Sequence, residues 1–277
     1  MTRDPKDLLL RLFRAAVDSA DPAKTVARHL PEHPSGRVVV VGAGKSAAAM
    51  ARAVEAEWPD VTGVVVTRYG HAVPTRIIEV IEASHPVPDQ AGADAAQRIL
   101  AAVRGLGPDD LVLALISGGG SALMTAPRPG LTLDDKMQVN RLLLASGAPI
   151  GVMNRVRRRL SAVKGGRLAI AAAPARVVTL AISDVPGDDP LAIASGPTVH
   201  DPGATADQSD LVRMLGPALP EAARRLLMMP TEPLPPFTAD YRLISTPLMA
   251  LKAAARMARA EGITPVNGGA ISGHAAE

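Results

Sequence analysis

The sequence contains no cysteine, and aromatic residues make up only 2% of its 277 residues. The lack of cysteine excludes disulfide bonds, thiolate metal sites and a cysteine nucleophile, and it is typical of a protein from a reducing cytoplasm. Because aromatic side chains are so few, the core must be aliphatic, and stacking platforms for single-stranded nucleic acid are scarce. No apolar run reaches the roughly 18 residues of a membrane-spanning helix, and the amino-terminal segment lacks the unbroken apolar core of a signal peptide.

The residues that are present are typical of a globular protein. Hydrophobic residues make up 47% of the sequence and charged residues 21%, and the net charge of +3 is too small to indicate a nucleic-acid partner. We therefore predict a soluble cytoplasmic protein that binds neither nucleic acid nor a membrane. The sequence leaves the oligomeric state open, a homo-oligomer included.

Short apolar runs alternate with helical segments along most of the chain. Buried strands are predicted at 37–41, 61–67, 111–116 and 177–183, and helices at 5–20, 47–57, 91–106 and 134–145. This alternation favours a Rossmann-like α/β/α sandwich with a mainly parallel sheet. A proline-rich segment at 229–236 predicts a boundary between a domain at 1–232 and the beginning of a smaller α/β domain at 237–277. In that second part we predict strands at 241–245 and 264–266 and a helix at 248–261.

The segment LVLALISGGGSALM at 111–124 is the central motif. An apolar strand stops at Ser117 and is followed by three glycines, whose backbone amides can form a nest for an anion. Ser121 resembles the start of a helix whose positive end would face the same anion. The motif is therefore either a cradle for phosphate or carboxylate, or a tight strand-to-helix turn that binds nothing.

A second glycine turn follows the first strand. Gly42, Gly44 and Ala47 satisfy the loosest form of the dinucleotide fingerprint, but the second strand ends in Arg68 without an acidic residue for a ribose hydroxyl. Arg68 could instead meet the 2′-phosphate of NADP, so an NADP site is the only dinucleotide site that remains. The P-loop pattern is not met either. The other interpretation is a turn that presents Lys45 to phosphoryl or carboxylate oxygens, and a third is a solvated lysine beside a structural turn.

Three aspartates follow the strand at 177–183. Carboxylates at the carboxyl end of a parallel strand suit Mg²⁺, and Asp184 is also placed to take a proton from an attacking hydroxyl. Asp188 follows across a Pro-Gly turn and is a second metal-ligand candidate, whereas Asp189 is more typical of a turn or helix cap. Ser195 and Gly196 begin another turn with backbone donors.

The remaining polar candidates allow two interpretations each. His85 lies in a proline-rich loop, where a substrate contact and an ordinary solvated histidine are equally compatible with the sequence. The basic run at 155–159 is typical of a solvated helix face. Asn154, Arg155 and Lys164 are the members of this region that we expect to bind substrate, because Lys164 precedes a Gly-Gly turn.

The motifs GAGKSAAAMA, YGHAVP, SHPVPDQAG, SGGGSALM, NRVRRRLSAVKGGRLA and SDVPGDDPLAIASGPT together resemble those of the glycerate 2-kinase family, the kind that carries a carboxy-terminal MOFRL domain. They occur in the family's order over roughly residues 5 to 230, and jointly they are specific. The resemblance implies a Rossmann-like domain and a smaller α/β domain with the active site between them. Members of the family have also been labelled hydroxypyruvate reductases.

The resemblance further implies the reaction and the residues that perform it. It predicts phosphorylation of D-glycerate by ATP with Mg²⁺ to give 2-phosphoglycerate, with the family's active-site lysine at Lys45 and its aspartate at Asp184. The residues expected to bind substrate or phosphate are Gly42, Gly44, His85, Ser117, Gly118, Gly119, Gly120, Ser121, Asn154, Arg155, Lys164, Ser195 and Gly196. The metal ligands are expected to be Asp184 and Asp188.

The sequence also departs from the family. Arg159 stands where the family usually has histidine, and Ser84 stands where it usually has glycine. Only the opening of the family's carboxy-terminal domain, GGAISGHAAE, is recognisable, so we expect this chain to be inactive or nearly so by itself. The alternatives are an NAD(P)H-dependent hydroxypyruvate reductase and a non-catalytic remnant that binds an anion.

Overall fold

A computed structural model describes residues 4–237, 239–266 and 268. In this part of the chain six strands form one sheet, and every neighbouring pair is parallel. The strands are β1 (Val38–Ala43), β2 (Thr62–Arg68), β3 (Glu79–Ala83), β4 (Leu111–Ile116), β5 (Arg176–Ile182) and β6 (Ala239–Ser245). Their order is β3-β2-β1-β4-β5-β6, so the sheet extends in opposite directions from β1 and β4. This confirms the predicted Rossmann-like α/β class.

Helices flank this sheet and connect its strands. Those in the described residues are α1 (Pro5–Asp18), α2 (Pro22–Thr25), α3 (Ala47–Glu57), α4 (Gln90–Val103), α5 (Gly120–Leu123), α6 (Leu133–Ala145), α7 (Ile150–Arg159), α8 (Arg167–Ala172), α9 (Ser209–Leu215), α10 (Glu221–Met228) and α11 (Pro247–Ala260), with short 3₁₀ turns at Ala27–His29, Ile193–Ser195 and Gly216–Ala218. Every one of these helices is too short or too polar to cross a lipid bilayer.

The two faces of the sheet are buried against different helices. Along β1, Val39 and Val41 pack with α4 and α8, whereas Val38 and Val40 pack with α3. All residues of β1 and β4 are buried, which explains why both strands are continuous apolar runs rather than alternating ones. Each fully buried Val or Leu side chain contributes about 1.5–3 kcal/mol, so these two strands form the most strongly stabilised part of the sheet.

A third apolar cluster lies apart from the two faces of the sheet. It is formed by α6, α7, α9 and α10, and its buried members include Leu143, Val156, Leu160 and Leu215. The sequence analysis predicted a helix over 134–145 but no separate helical layer. This layer matters for function because α6 and α7 approach the turn that follows β4.

The segment that follows the proline-rich connector belongs to the same sheet. Strand β6 pairs in parallel with β5, from Val177 opposite Ala239 to Ile182 opposite Ser245, and α11 packs against α1. The edge of β5 is therefore covered, because β6 supplies the partner for its backbone groups. The sheet continues across the predicted boundary at 232–237, and the division into domains 1–232 and 237–277 stays a prediction.

Two details of the predicted elements need correction. The strand predicted at 264–266 is wrong, since these residues form no strand and Val266 is 93% exposed. A strand needs a neighbour for its hydrogen bonds, and none lies beside this segment in the described residues. The apolar stretch at 74–83, which the sequence left unassigned, forms β3. Residues 269–277, with most of the motif GGAISGHAAE, lie outside the described residues.

Candidate active site

The turns after β1 and β4 meet at the carboxyl edge of the sheet. The two strands are adjacent, with Ala43 opposite Ile116, and the order of strands reverses between them. Ligands of doubly wound sheets bind in the crevice at such a switch point. The turns are joined by two hydrogen bonds: Lys45 N donates to Gly118 O (2.9 Å), and Ser46 N donates to Ser117 Oγ (3.0 Å).

The turn after β1 has no backbone donor left for an anion. Gly44 N donates to Val66 O (3.1 Å) and Ala47 N to Gly44 O (3.1 Å), and the amides of Lys45 and Ser46 are bonded to the β4 turn. The expected anion nest at Gly42–Gly44 is therefore not formed in this structure. Gly42 lies within β1, where a Cβ atom would stand 2.4 Å from the carbonyl oxygen of Leu115. These glycines allow close packing, and their part in binding phosphate stays a prediction.

Ser117 has a similar packing environment. It is 1% exposed, and its hydroxyl accepts the hydrogen bond from Ser46 N. A Cβ atom on Gly44 would stand 2.1 Å from this hydroxyl oxygen, so the contact requires glycine at position 44. The side chain of Ser117 thus holds the two turns together.

The turn after β4 leaves donors available. Gly120 N donates to Ser117 O (3.2 Å), whereas the amides of Gly118 and Gly119 donate to no acceptor in the described part of the chain. Gly119 has a φ of +87° and precedes the short helix α5, which begins at Gly120 rather than at Ser121. This backbone can hold an anion because two neighbouring N–H groups remain unpaired beside a cationic side chain.

Lys45 and Asp184, the predicted catalytic residues, lie together over this turn. Lys45 Nζ is 3.8 Å from Asp184 Oδ2, and the side chains are 41% and 57% exposed. The carboxylate lies directly over Gly118, because a Cβ atom there would be 2.0 Å from Asp184 Oδ2. An exposed ion pair of this kind contributes only about 0–1 kcal/mol to stability, so its placement is better explained by a ligand than by folding.

His85 completes this side of the site. Its ring lies against Gly119, where a Cβ atom would stand 3.1 Å from Nε2 and 3.6 Å from Lys45 Cε. Burial and the nearby charges of Lys45 and Arg68 lower the pKa of His85 below its usual value. The imidazole is therefore neutral at neutral pH and can donate one hydrogen bond and accept another.

A chain of polar contacts extends the site from Ser121. Lys164 Nζ donates to the Ser121 carbonyl oxygen (2.6 Å) and to Ser121 Oγ (2.8 Å), which lies 2.9 Å from Ser195 Oγ. Lys164 is 3% exposed. Burial, with the charges of Lys136 and Arg157, holds its pKa well below the usual range.

The turn at Ser195 is held from below by the Gly-Gly turn that follows Lys164. Gly165 N donates to Ser195 O (3.1 Å), and Gly166 N donates to Gly196 O (2.8 Å). Ser195 has a φ of +63°, which is uncommon for a residue with a side chain. The structure thus brings Ser121, Lys164, Ser195 and Gly196 together, and their part in binding substrate stays a prediction.

The loop after β5 contains one carboxylate oxygen that fits a metal ion. Asp188 has a φ of +54°, and its Oδ1 is buried without a hydrogen-bond partner in the described residues. Asp189 Oδ1 accepts from Leu191 N (3.0 Å), in agreement with its predicted turn role. In the part of the chain that the structure describes, no three acidic or histidine side chains form a cluster that could hold a metal by themselves. Mg²⁺ needs only one or two carboxylates when phosphate oxygens complete its shell, so Asp188 and Asp184 fit that ion.

Asn154 and Arg155 make no contact with Lys45 or Asp184 in the described residues. Asn154 Oδ1 accepts from Arg157 Nη1 (3.2 Å), and the side chain of Arg155 packs beside Gly203, with its Nε buried and unpaired. Their part in binding substrate stays a prediction.

The predicted solvated face at 155–159 is wrong. Arg158 is 8% and Arg159 6% exposed. Arg158 Nε donates to Asp201 Oδ2 (2.6 Å), and Arg159 donates to the carbonyl oxygens of residues 204, 226 and 229. These arginines hold α7 against the loop before α9 and the carboxyl end of α10, because their acceptors lie there.

The sequence analysis missed two cationic residues near the site. Lys136 on α6 and Arg157 on α7 line a cavity of about 410 Å³ whose wall also includes His85, Gly119 and Ser121. In the sequence, Lys136 is indistinguishable from an exposed lysine of an amphipathic helix. Its position depends on how α6 packs beside the β4 turn, for which no local sequence signal exists.

The fold and the site define a class: a doubly wound α/β protein with a glycine turn whose amides are unpaired in the described residues and a Lys–Asp pair at its switch point. A family model described as a domain of unknown function, DUF4147, matches residues 8–228, and the chain belongs to that family. The similarity to curated glycerate kinases and to a glycerate kinase structure confirms the resemblance to the glycerate 2-kinase family.

Three relatives illustrate this similarity. A protein from Agrobacterium vitis with the provisional name hydroxypyruvate reductase is 56% identical over 98% of this chain and 63% of its own length. A D-glycerate 2-kinase from Thermotoga maritima is 38% identical over 82% of this chain and 55% of its own length. The crystal structure of a glycerate kinase from Thermotoga maritima superimposes with a TM-score of 0.84 at 35% identity, over 93% of this chain and 63% of that one. The chain thus spans between about half and two thirds of these relatives.

Proposed function

We propose that this chain carries the phosphate-binding half of a glycerate 2-kinase, which transfers the γ-phosphoryl group of ATP to D-glycerate and forms 2-phosphoglycerate. The observation that carries the proposal is the placement of Lys45 and Asp184, 3.8 Å apart, over the β4 turn. The name of the Thermotoga maritima relative, D-glycerate 2-kinase, supports this substrate and this reaction. The geometry provides a reason why this family could perform it with these residues.

Phosphoryl transfer needs negative charge to be held in place and neutralised. The amides of Gly118 and Gly119 would bind oxygens of the transferred group, and Lys45 would place its positive charge beside them. Asp184 would accept the proton of the attacking hydroxyl. In this step the glycerate oxygen forms a bond to the γ-phosphorus, the bond from that phosphorus to the bridging β–γ oxygen breaks, and ADP leaves.

Neutral His85 would hydrogen-bond a substrate hydroxyl or a phosphate oxygen from the side of Gly119. The serines of the Lys164 network would position the loop after β5 against the β4 turn. Asp184 and Asp188 would hold Mg²⁺, which would neutralise charge on the phosphates when bound. Together these groups supply charge and hydrogen bonds from the protein side of the crevice.

A second candidate is the NAD(P)H-dependent hydroxypyruvate reductase, favoured by the name of the Agrobacterium vitis relative and by the order of the strands. Dinucleotides bind with their pyrophosphate on the amides after the first strand. Here the amides of residues 44–47 are all bonded within the protein. This arrangement favours the kinase, since its phosphate would bind at the β4 turn instead.

Two parallel assays test the proposal. The chain is incubated with D-glycerate and Mg·ATP, followed by ADP release, and with hydroxypyruvate and NADPH, followed by loss of NADPH absorbance. Because the relatives are longer, the same assays are run on the chain fused to the part of the Agrobacterium vitis relative that lies outside the match. We expect glycerate-dependent ADP release from the fusion. NADPH oxidation without ADP release would overturn the kinase in favour of the reductase.

A further inference from the structure

A cavity of about 410 Å³ opens beside the proposed active site. It lies between the loop at 85–88, the β4 turn, α6 and α7. Its inner wall is aliphatic, with Leu133, Met137, Leu143 and Leu160 among the lining residues, and its polar side carries Lys136, Arg157 and Lys164. The cavity is several times larger than a three-carbon acid requires, and it is within the usual size range of small-molecule sites.

The charge of this cavity is all of one sign. Lys136, Arg141, Arg157 and Lys164 line it, and none of its described lining residues is aspartate or glutamate. Buried cations in folded proteins are normally paired with carboxylates. Here the buried ammonium of Lys136 and the buried Lys164 both lack a carboxylate partner in the described residues.

The partners that these cations do have are neutral. Arg157 Nε and Nη2 donate to Asn140 Oδ1 (2.9 and 2.7 Å). Lys164 donates to Ser121, through its carbonyl and hydroxyl oxygens. Lys136 Nζ is buried and has no hydrogen-bond partner in the described residues.

Burial and mutual repulsion make this arrangement unfavourable for the unliganded protein. Burial and the charge of Arg157 lower the pKa of Lys136 to about 8. Burial, with the charges of Lys136 and Arg157, holds the pKa of Lys164 well below its usual range. An anion in the cavity would supply the missing countercharge and remove the repulsion. The cluster is therefore better explained as a binding surface than as a contribution to folding.

We propose that this cavity binds the oxyanion end of a small organic anion, a carboxylate or a phosphate, with its charge on Lys136, Arg157 and Lys164. The uncharged part of the molecule lies along the aliphatic wall. Because the cavity and the proposed phosphoryl-transfer site share Gly119, Ser121 and His85, the ligand extends towards Lys45. The anion is then one of the two substrates, so its assignment rests on the proposed function, whereas the anion site itself does not.

Thermal denaturation and calorimetric titration of the 277-residue chain test this inference. The probes are D-glycerate, ATP with EDTA, and inorganic phosphate, each compared with chloride at equal ionic strength. The test variant is Lys136→Met, and the matched control is Lys6→Met, which removes an exposed lysine of α1. We expect Lys136→Met to bind the anion at least ~10-fold more weakly, as for loss of one charge-assisted contact, and the control to bind as the unmodified chain does.

A second, isosteric variant keeps the test valid if Lys136→Met fails to fold. Asn140→Asp keeps the acceptor of Arg157 and places a carboxylate beside it in the cavity. We expect this variant to have a higher Tm without ligand and a weaker response to anions, because the countercharge is now built in. Lys136→Met should also unfold at the same or a higher temperature without ligand.

The outcomes separate the sources of the anion. If both variants lose the D-glycerate response, the anion that binds in the cavity is the carboxylate of glycerate. If they lose the ATP response, it is a phosphate of the nucleotide. Equal responses of the unmodified chain and both variants, or no response of the unmodified chain to any probe, would overturn the proposal. Anion binding that depends on Lys136, with no glycerate-dependent ADP release from the fusion, would keep this inference and reject the kinase. Phosphorylation of D-glycerate that neither variant affects would keep the kinase and reject this inference.

Discussion

Two glycine turns lie side by side at the carboxyl edge of the sheet, and they use their backbones differently. After β1 the amides of residues 44–47 all donate to acceptors within the protein. After β4 the amides of Gly118 and Gly119 have no acceptor in the described residues, and Lys45 and Asp184 lie over them. Glycine content alone therefore does not distinguish a packing turn from a binding turn. The two kinds of turn are distinguished by whether their backbone N–H groups have acceptors within the protein.

If the β4 turn is the binding turn, removal of its cation should have the largest effect. Lys45→Ala is expected to reduce phosphoryl transfer by at least ~10²-fold, the scale for loss of one preorganised charge contact. The measurement is kcat/KM for glycerate-dependent ADP release by the fusion protein, with Lys252→Ala as a control for an exposed lysine. Unchanged kcat/KM in Lys45→Ala would mean that Lys45 is an ordinary solvated lysine beside a structural turn.

Asp184→Asn tests the other member of the pair. The substitution preserves shape but removes the charge that would take a proton or bind metal, so we expect lost turnover with a Tm close to that of the unmodified chain. Thermal denaturation and the ADP assay together check it. Normal turnover would mean that Asp188 or another group, and not Asp184, takes the proton or binds the metal.

An added methyl group should affect the β1 turn through stability. In Gly44→Ala the Cβ atom would stand 2.5 Å from the Ser117 carbonyl oxygen, at a φ of +139°. We expect a loss of about 2–4 kcal/mol in the free energy of unfolding, because backbone atoms must move and the conformation is strained. Urea denaturation measures it, and a change below about 0.5 kcal/mol, the usual scale of surface substitutions, would contradict the packing role.

The same methyl group in the β4 turn should affect activity instead. In Gly118→Ala the new Cβ atom meets the carboxylate end of Asp184, which can rotate away. We expect less than about 1 kcal/mol of lost stability, as for surface sites, but at least ~10-fold lower phosphoryl transfer, because the carboxylate is displaced. Equal behaviour of Gly44→Ala and Gly118→Ala would remove the distinction between the turns.

A different test uses the pH dependence of anion binding in the cavity beside the β4 turn. The pKa of Lys136 is about 8 in the folded chain and 10.5 when unperturbed. Arg157, Lys164, Arg141 and His85 are the charged or titratable groups that share its cavity. If binding needs protonated Lys136, anion affinity should fall about tenfold per pH unit above pH 8, as the protonated fraction does. Titration calorimetry between pH 7 and about 9.5 measures this slope, which Lys136→Met should lack.

The stability of the unliganded chain should change in the opposite direction. Between pH 8 and 10.5 the unfolded chain binds more protons at Lys136 than the folded chain, so its contribution to stability rises with pH in this window. Urea denaturation across the same range checks it. A contribution that falls as pH rises would mean that Lys136 has an anionic partner in the folded protein.

Much of the sheet could be predicted because its signals are local. Strand β4 begins at Leu111 and ends at Ile116, as its apolar run indicates, and α3 covers 47–57, as predicted. The glycine turns after β1 and β4 were also predicted, although β1 continues through Ala43 and α5 begins at Gly120 rather than at Ser121. Strand β3 remained unassigned because a short apolar stretch suits a strand and a helix equally well.

The pairing of strands is not a local property, and there the predictions were weaker. Strand β6 pairs with β5 across the proline-rich connector, a pairing that no residue pattern indicates, and the division into two domains stays a prediction. The basic run in α7 was expected to be solvated, but Arg158 found a buried partner 43 residues away at Asp201. Neither contact leaves a trace in the surrounding residues.

The sequence by itself determined most of the strands, the two glycine turns and the residue types, Lys45 and Asp184, that a phosphoryl-transfer site would need. These follow from short-range rules: apolar periodicity, the conformational freedom of glycine and the chemistry of side chains. Only the tertiary structure decided which turn keeps its amides unpaired and which cations share a cavity, since both depend on elements distant in sequence. The sequence around Lys136 is typical of an exposed helix residue. Lys136 is a candidate anion-binding residue only because α6 packs beside the β4 turn.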